Sequence, residues 1–155
     1  MTSTIPIIDL FAGPGGLGEG FSSIVDSTGN RVFRIALSIE MEDSAHRTLQ
    51  LRAFYRQFPS GEAPESYYQY LAGKLGDDPS DGLFADPRFS TQAAAAKREA
   101  QQITLGKTHR KAYAAIEGAL GGDPTREWIL IGGPPCQAYS LVGRSRNRGK
   151  KDYRL

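Results

Sequence analysis

Scarcity sets the first limits on this sequence. A single cysteine, Cys136, excludes an intramolecular disulfide, and with only two histidines, His46 and His109, there are too few ligands for a structural zinc site. No apolar run approaches the length of a bilayer span, so a soluble chain is expected. The amino terminus, Met1 to Pro6, has neither the basic start nor the apolar segment of a secretory signal, and a cytoplasmic location follows as an expectation. Nor is there a large excess of one charge: the formal net charge is +2. Its distribution is uneven, because Arg144, Arg146, Arg148, Lys150, Lys151 and Arg154 crowd the end of the chain against Asp152 alone. The remainder holds thirteen basic and sixteen acidic residues. A basic segment of this kind suits a polyanion, or equally a solvated tail. At 155 residues the chain can build one domain with a core and hardly two.

What is present is concentrated in two stretches. From Trp128 to Ser140 a short apolar run stops abruptly and delivers the only cysteine. Trp128 to Ile131 reads as a buried strand, and Gly132, Gly133, Pro134 and Pro135 end it, because proline has no N–H for a ladder and a fixed φ. Cys136 then lies on a stiffened loop past a strand end, the edge at which open α/β sheets bind ligands. A lone cysteine is most often a small buried apolar residue, but core packing explains poorly a thiol beside Gln137, Tyr139 and Ser140. With an ordinary pKa of about 8.5, that thiol needs a neighbouring positive charge, dipole or base to act as a nucleophile.

The second stretch begins with Ile5 to Leu10, read as a buried strand, and continues into five glycines between Gly13 and Gly20. Such a loop permits positive φ and close backbone approach, and Leu17 to Ile24 then starts a helix. A third strand is expected over Arg31 to Glu40, with Phe33, Ile35, Leu37 and Ile39 on one face. Glu40 ends it about twenty residues past the glycine loop, the offset at which an acid binds ribose hydroxyls in a βαβ unit. Asp43 caps a helix running to Phe58, with Leu49, Ala53, Phe54 and Phe58 on its apolar stripe. Tyr67, Tyr68, Tyr70 and Leu71 suggest a short helix whose aromatics serve packing, and 77–89 reads as loop. Ser90 or Thr91 caps an alanine-rich helix to about Leu105, and another spans Thr108 to Leu120. His46 and His109 read as packing or surface residues. Helices between the strands argue for a parallel sheet in which the Trp128 strand returns beside the first, bringing the glycine loop and Cys136 to one switch point.

The pattern Gly13-x-Gly15-x-x-Gly18 alone admits a nicotinamide or flavin enzyme. Taken together, Asp9-Leu10-Phe11-Ala12-Gly13-Pro14-Gly15-Gly16 and Gly132-Gly133-Pro134-Pro135-Cys136-Gln137 closely resemble the cytosine carbon-5 DNA methyltransferases. The resemblance covers Ile5 to about Met41 and Trp128 to about Asn147. It implies an α/β, Rossmann-like S-adenosylmethionine-dependent methyltransferase fold, here a partial parallel sheet with a helical insertion over 59–127 and a basic mobile loop over 140–155. It implies that S-adenosylmethionine is held by Phe11, Ala12, Gly13, Gly15, Gly16 and Leu17, with Glu40 on its ribose, Met41 against its adenine and Pro135 shaping the pocket. A large aromatic is more usual where Met41 stands, and the family's adenine-contacting acid at the third strand end has no recognisable counterpart.

Cys136 is, by the same resemblance, the catalytic nucleophile: its addition to carbon 6 makes carbon 5 of a flipped cytosine enamine-like and able to accept a methyl group. Gln137, Ser140, Arg144 and Arg146 are the implied substrate-binding residues and double-stranded DNA the implied partner. The alternatives are an RNA cytosine carbon-5 methyltransferase and an NAD-dependent oxidoreductase. Family members continue through a target-recognition region that is not visible here, so the chain is expected to be an amino-terminal portion, inactive alone and completed by further sequence or a carboxyl-terminal partner chain.

Overall fold

The computed structural model describes residues 4–79, 82–106, 109–123 and 125–133. Four parallel strands, β1 (Ile5–Leu10), β2 (Phe33–Glu40), β3 (Ala100–Gln102) and β4 (Ile129–Gly132), form one sheet in the order β3-β2-β1-β4. This is a Rossmann-like α/β arrangement, in which every parallel step needs a crossover and helices supply it. The first crossover is α1 (Gly16–Ser22). The second is α2 (Asp43–Tyr55), α3 (Glu65–Leu71), a 3₁₀ turn at Pro87–Phe89 and α4 (Ser90–Glu99), and the third is α5 (His109–Leu120).

β1 is central because Ile7, Ile8 and Asp9 are all buried and have strands on both sides. Pro6 is tolerated within it. The Ile5 N–H already serves Val32 O, and pairing with β4 begins only at Ile7, so no acceptor waits for the N–H that Pro6 lacks. The alternation expected along β2 is broken. Ile7 pairs with Ile35 but Ile8 pairs with Leu37, so Ala36 is an extra residue in a bulge. Ile35 therefore faces Gly18 of α1, and Phe33 meets Phe21 edge to face, while Leu37 and Ile39 turn to the opposite side with Ile8, Ile103 and Ala112 of α5.

A second cluster packs α2, α3 and α4 around Phe54, which is fully buried against the rings of Phe58, Tyr67, Phe84 and Phe89. Tyr67 and Tyr70 of α3 serve this packing, as expected, whereas Tyr68 is exposed. Several expectations need correction. The α2 cap is Glu42, whose carboxylate accepts from Ser44 and Ala45 N–H, and the helix stops at Tyr55. The alanine-rich helix has no side-chain cap and ends at Glu99, because the chain is taken into the sheet at Ala100, opposite Ser38. The stretch 59–127 is thus not wholly helical. Finally, β4 is less buried than an interior strand: Trp128 and Leu130 are exposed, and its outer edge meets no strand among the described residues. No helix among the described residues is long and apolar enough to cross a membrane.

Candidate functional site

The carboxyl ends of β1 and β2 gather most of the residues singled out by sequence. After Leu10 the backbone enters the left-handed region at Phe11 (φ 56°), a conformation that costs a non-glycine residue roughly 1–2 kcal/mol. Phe11 leaves its ring exposed at the rim. Ala12 N–H then continues the sheet by donating to Ile39 O at 3.0 Å, and Gly15 N–H closes the turn onto Ala12 O at 3.0 Å. Gly13 (φ 56°) and Gly15 (φ 88°) are both left-handed. Glycine suits position 15 for a second reason, because a Cβ there would lie 2.7 Å from Leu49 Cδ1 of α2 and the buried leucine would have to give way. On the outer side the loop is open: a Cβ at Gly13 or Gly16 would meet nothing within 4 Å.

Glu40 organises this loop. Its Oε2 accepts from Gly13 N–H at 2.9 Å, and its Oε1 accepts from the N–H groups of Met41 and Glu42, both at 2.8 Å. The carboxylate therefore links the end of β2 to the glycine loop, a role its sequence spacing alone did not suggest. Oε2 holds one hydrogen bond and keeps acceptor capacity for a ligand hydroxyl. Met41 and Leu17 are exposed, so with Phe11 they give the site an apolar rim.

Sequence reasoning missed Gln102. It stands at the third strand end, in register with Glu40, and its Nε2 donates to Met41 O at 3.3 Å. Only the pairing of β3 with β2 reveals it, because Ala100–Gln102 carries no strand signal of its own.

β4 ends at Gly132, in register with Leu10, and a Cβ there would fall 2.3 Å from Leu10 O. Glycine thus lets β4 finish against the strand that leads into the loop. Gly133 leaves from that same edge of the sheet. Pro135, Cys136, Gln137, Ser140, Arg144 and Arg146 lie outside the described residues.

Packed among α1, the end of α2 and α4 is a buried charged cluster that the sequence pattern did not disclose. Arg56, just past α2, forms ion pairs with Glu19 of α1 and Glu99 of α4. Asp9 is 1% exposed under α1, and neither carboxyl oxygen has a hydrogen-bond partner among the described residues. Burial raises its pKa to about 6, with the Arg56 charge opposing. The folded state thus holds this proton more tightly than the unfolded chain, so the stability contributed by Asp9 is fully present below about pH 4 and is lost as pH rises through 6. Replacing Asp9 by asparagine, the uncharged isostere, should raise unfolding free energy at pH 7.5 by up to about 3 kcal/mol. The gain should vanish near pH 4. Urea denaturation across that range checks this, and a gain independent of pH would contradict it.

No family model and no solved structure matches the chain. It is similar to the Type II methyltransferase M.Bpa9945I of Bacillus paralicheniformis, 33% identical over 153 residues, covering 90% of this chain and 32% of that protein. The chain thus spans about a third of that relative's length.

Proposed function

We propose that this chain carries the cofactor loop and the nucleophile of a DNA cytosine carbon-5 methyltransferase. One observation carries the reading: Leu10, which leads into the glycine loop, is paired with Gly132, which leads towards Pro134-Pro135-Cys136. The two motifs of the family resemblance therefore begin at neighbouring positions on one sheet edge, next to Glu40. Similarity to a Type II methyltransferase supports the same reaction class.

The residues at this edge fit S-adenosylmethionine. Phe11 and Met41 offer apolar surface for adenine, the backbone of Gly13, Gly15, Gly16 and Leu17 offers close approach, and Glu40 offers an acceptor for a ribose hydroxyl. When bound, that cofactor supplies an electrophilic methyl group. Cys136 adds through its thiolate to carbon 6 of the extruded cytosine, and its elimination after loss of the carbon-5 proton restores the ring. Gln137, Ser140, Arg144 and Arg146 contact the DNA, the arginines by neutralising phosphate.

Incubating the intact protein and S-adenosylmethionine with DNA containing 5-fluorocytosine should give a protein–DNA adduct that survives denaturing electrophoresis. The fluorine cannot leave as the carbon-5 proton does. An adduct formed on fluorocytosine RNA in place of DNA would move the substrate to RNA. Methylated exocyclic amines without any adduct would replace carbon-5 chemistry by nitrogen methylation. Binding of NAD in preference to S-adenosylmethionine would overturn the transferase reading.

A further inference from the structure

At the far end of β2 from Glu40, a cavity of about 670 Å³ opens between α4 and α5. It exists because β3 pairs only with Ser38, Ile39 and Glu40, leaving the earlier part of β2 without a strand on that side. α5 turns Ala115 and Gly118 towards the gap, side chains too small to fill it. Its lining runs along β2 from Phe33 to Ala36 and reaches Gln101 of β3, in register with Ile39, but includes neither Glu40 nor any residue of the glycine loop.

The walls are strongly cationic. Arg31 and Arg34 enter from the start of β2 and Arg98 from α4, with Arg56 behind them. Arg56 is taken up by Glu19 and Glu99, although its buried Nε has no hydrogen-bond partner among the described residues. Among the described residues Arg31 reaches only a backbone acceptor, Arg56 O, at 3.5 Å. Arg34 and Arg98 show neither an ion pair nor a side-chain hydrogen bond among the described residues. Burial raises the pKa of Glu99, and Arg56, Arg34 and Arg31 all act to lower it, so these guanidiniums share one electrostatic environment. Among the described residues Arg31, Arg34 and Arg98 form no ion pair, and Glu99, the carboxylate in the cavity wall, is already paired with Arg56, so an anion between the three guanidiniums relieves their mutual repulsion. The planar fork of guanidinium matches phosphate oxygens in particular, and the volume lies in the range of small-molecule sites.

We propose that this cavity is a second ligand site, taking a small molecule that bears a phosphate or diphosphate group on Arg31, Arg34 and Arg98. The site is independent of the methyltransferase reading, since it shares no residue with the loop at Glu40.

Calorimetric titration of the intact protein with ADP and with inorganic pyrophosphate tests it. Saturable binding is expected, weakened at least about tenfold in the double variant Arg34→Glu, Arg98→Glu and strengthened in Glu99→Gln, which removes the opposing charge. Both arginines are exposed and form no ion pair among the described residues, so the double variant should melt as the parent does, and its S-adenosylmethionine affinity should be unchanged. ADP binding much tighter than pyrophosphate would identify a nucleotide as the ligand, and equal binding a bare diphosphate. The proposal is overturned if neither probe binds at millimolar concentration, if the double variant binds as tightly as the parent, or if S-adenosylmethionine displaces ADP.

Discussion

Alanine at position 136 is expected to abolish methyl transfer to cytosine carbon 5, lowering kcat by at least about 10³-fold while leaving S-adenosylmethionine affinity within about twofold. Carbon 5 of an aromatic pyrimidine has little nucleophilicity of its own. It gains that character only when a group adds to carbon 6 and pushes electron density across the ring, and Cys136 is the only cysteine in the chain. Serine should not rescue the rate, because an alcohol near neutral pH supplies almost no alkoxide where a thiol supplies appreciable thiolate. Transfer of labelled methyl to duplex DNA measures the rate, and calorimetry measures the affinity. Carbon-5 methylation by the Cys136→Ala protein at more than a tenth of the parental rate would remove the nucleophile from the proposal.

The second large effect is expected at Glu40, through the loop it holds. Removing its carboxylate in Glu40→Ala leaves the N–H groups of Gly13, Met41 and Glu42 without their present acceptor. Hydrogen bonds to a charged acceptor contribute more than neutral ones, so a stability loss of about 1–3 kcal/mol is expected. The left-handed Gly13 loses its side-chain tether to the end of β2, leaving the Ala12 N–H bond to Ile39 O to hold the start of the loop there. A loop that must be re-formed on binding lowers affinity in proportion to its residual population, and S-adenosylmethionine should bind about 10–100-fold more weakly. Glu40→Gln should fall between, since one amide oxygen can serve one side of the carboxylate's present contacts while the NH₂ group confronts a donor on the other. Thermal unfolding and calorimetry of the three proteins check the order. Equal affinity in all three would show that the loop holds its shape without Glu40.

Legibility in the sequence tracked the range of the interactions involved. β1 could be read because Ile5, Ile7 and Ile8 are a compact β-branched run that leads within a few residues into the glycine loop starting at Gly13. The return of the last strand beside the first was also legible, since helices between parallel strands leave few topologies. The bulge at Ala36 was hidden: the spacing of Phe33, Ile35, Leu37 and Ile39 describes a regular strand, and only pairing with Ile7 and Ile8 shows the extra residue. β3 was hidden for a similar reason. Ala100, Gln101 and Gln102 have little strand propensity, and their extended form follows from the open edge of β2 at Ser38 to Glu40. The ion pairs of Arg56 with Glu19 and Glu99 join residues far apart in the chain, and no local pattern foreshadows them.

By itself the sequence determined the parallel α/β class, the positions of the glycine loop and the strand-ending acid, and the resemblance that names a chemistry for Cys136. All of these rest on residue type and short spacing, which the chain carries whatever its path through space. Tertiary structure alone decided that Glu40 clasps the loop, that Gln102 stands beside it, that Asp9 is buried with no hydrogen-bond partner among the described residues, and that a short third strand leaves an arginine-lined cavity behind it. These depend on which edges and faces meet, and such meetings are settled by burial and hydrogen-bond pairing across the whole sheet.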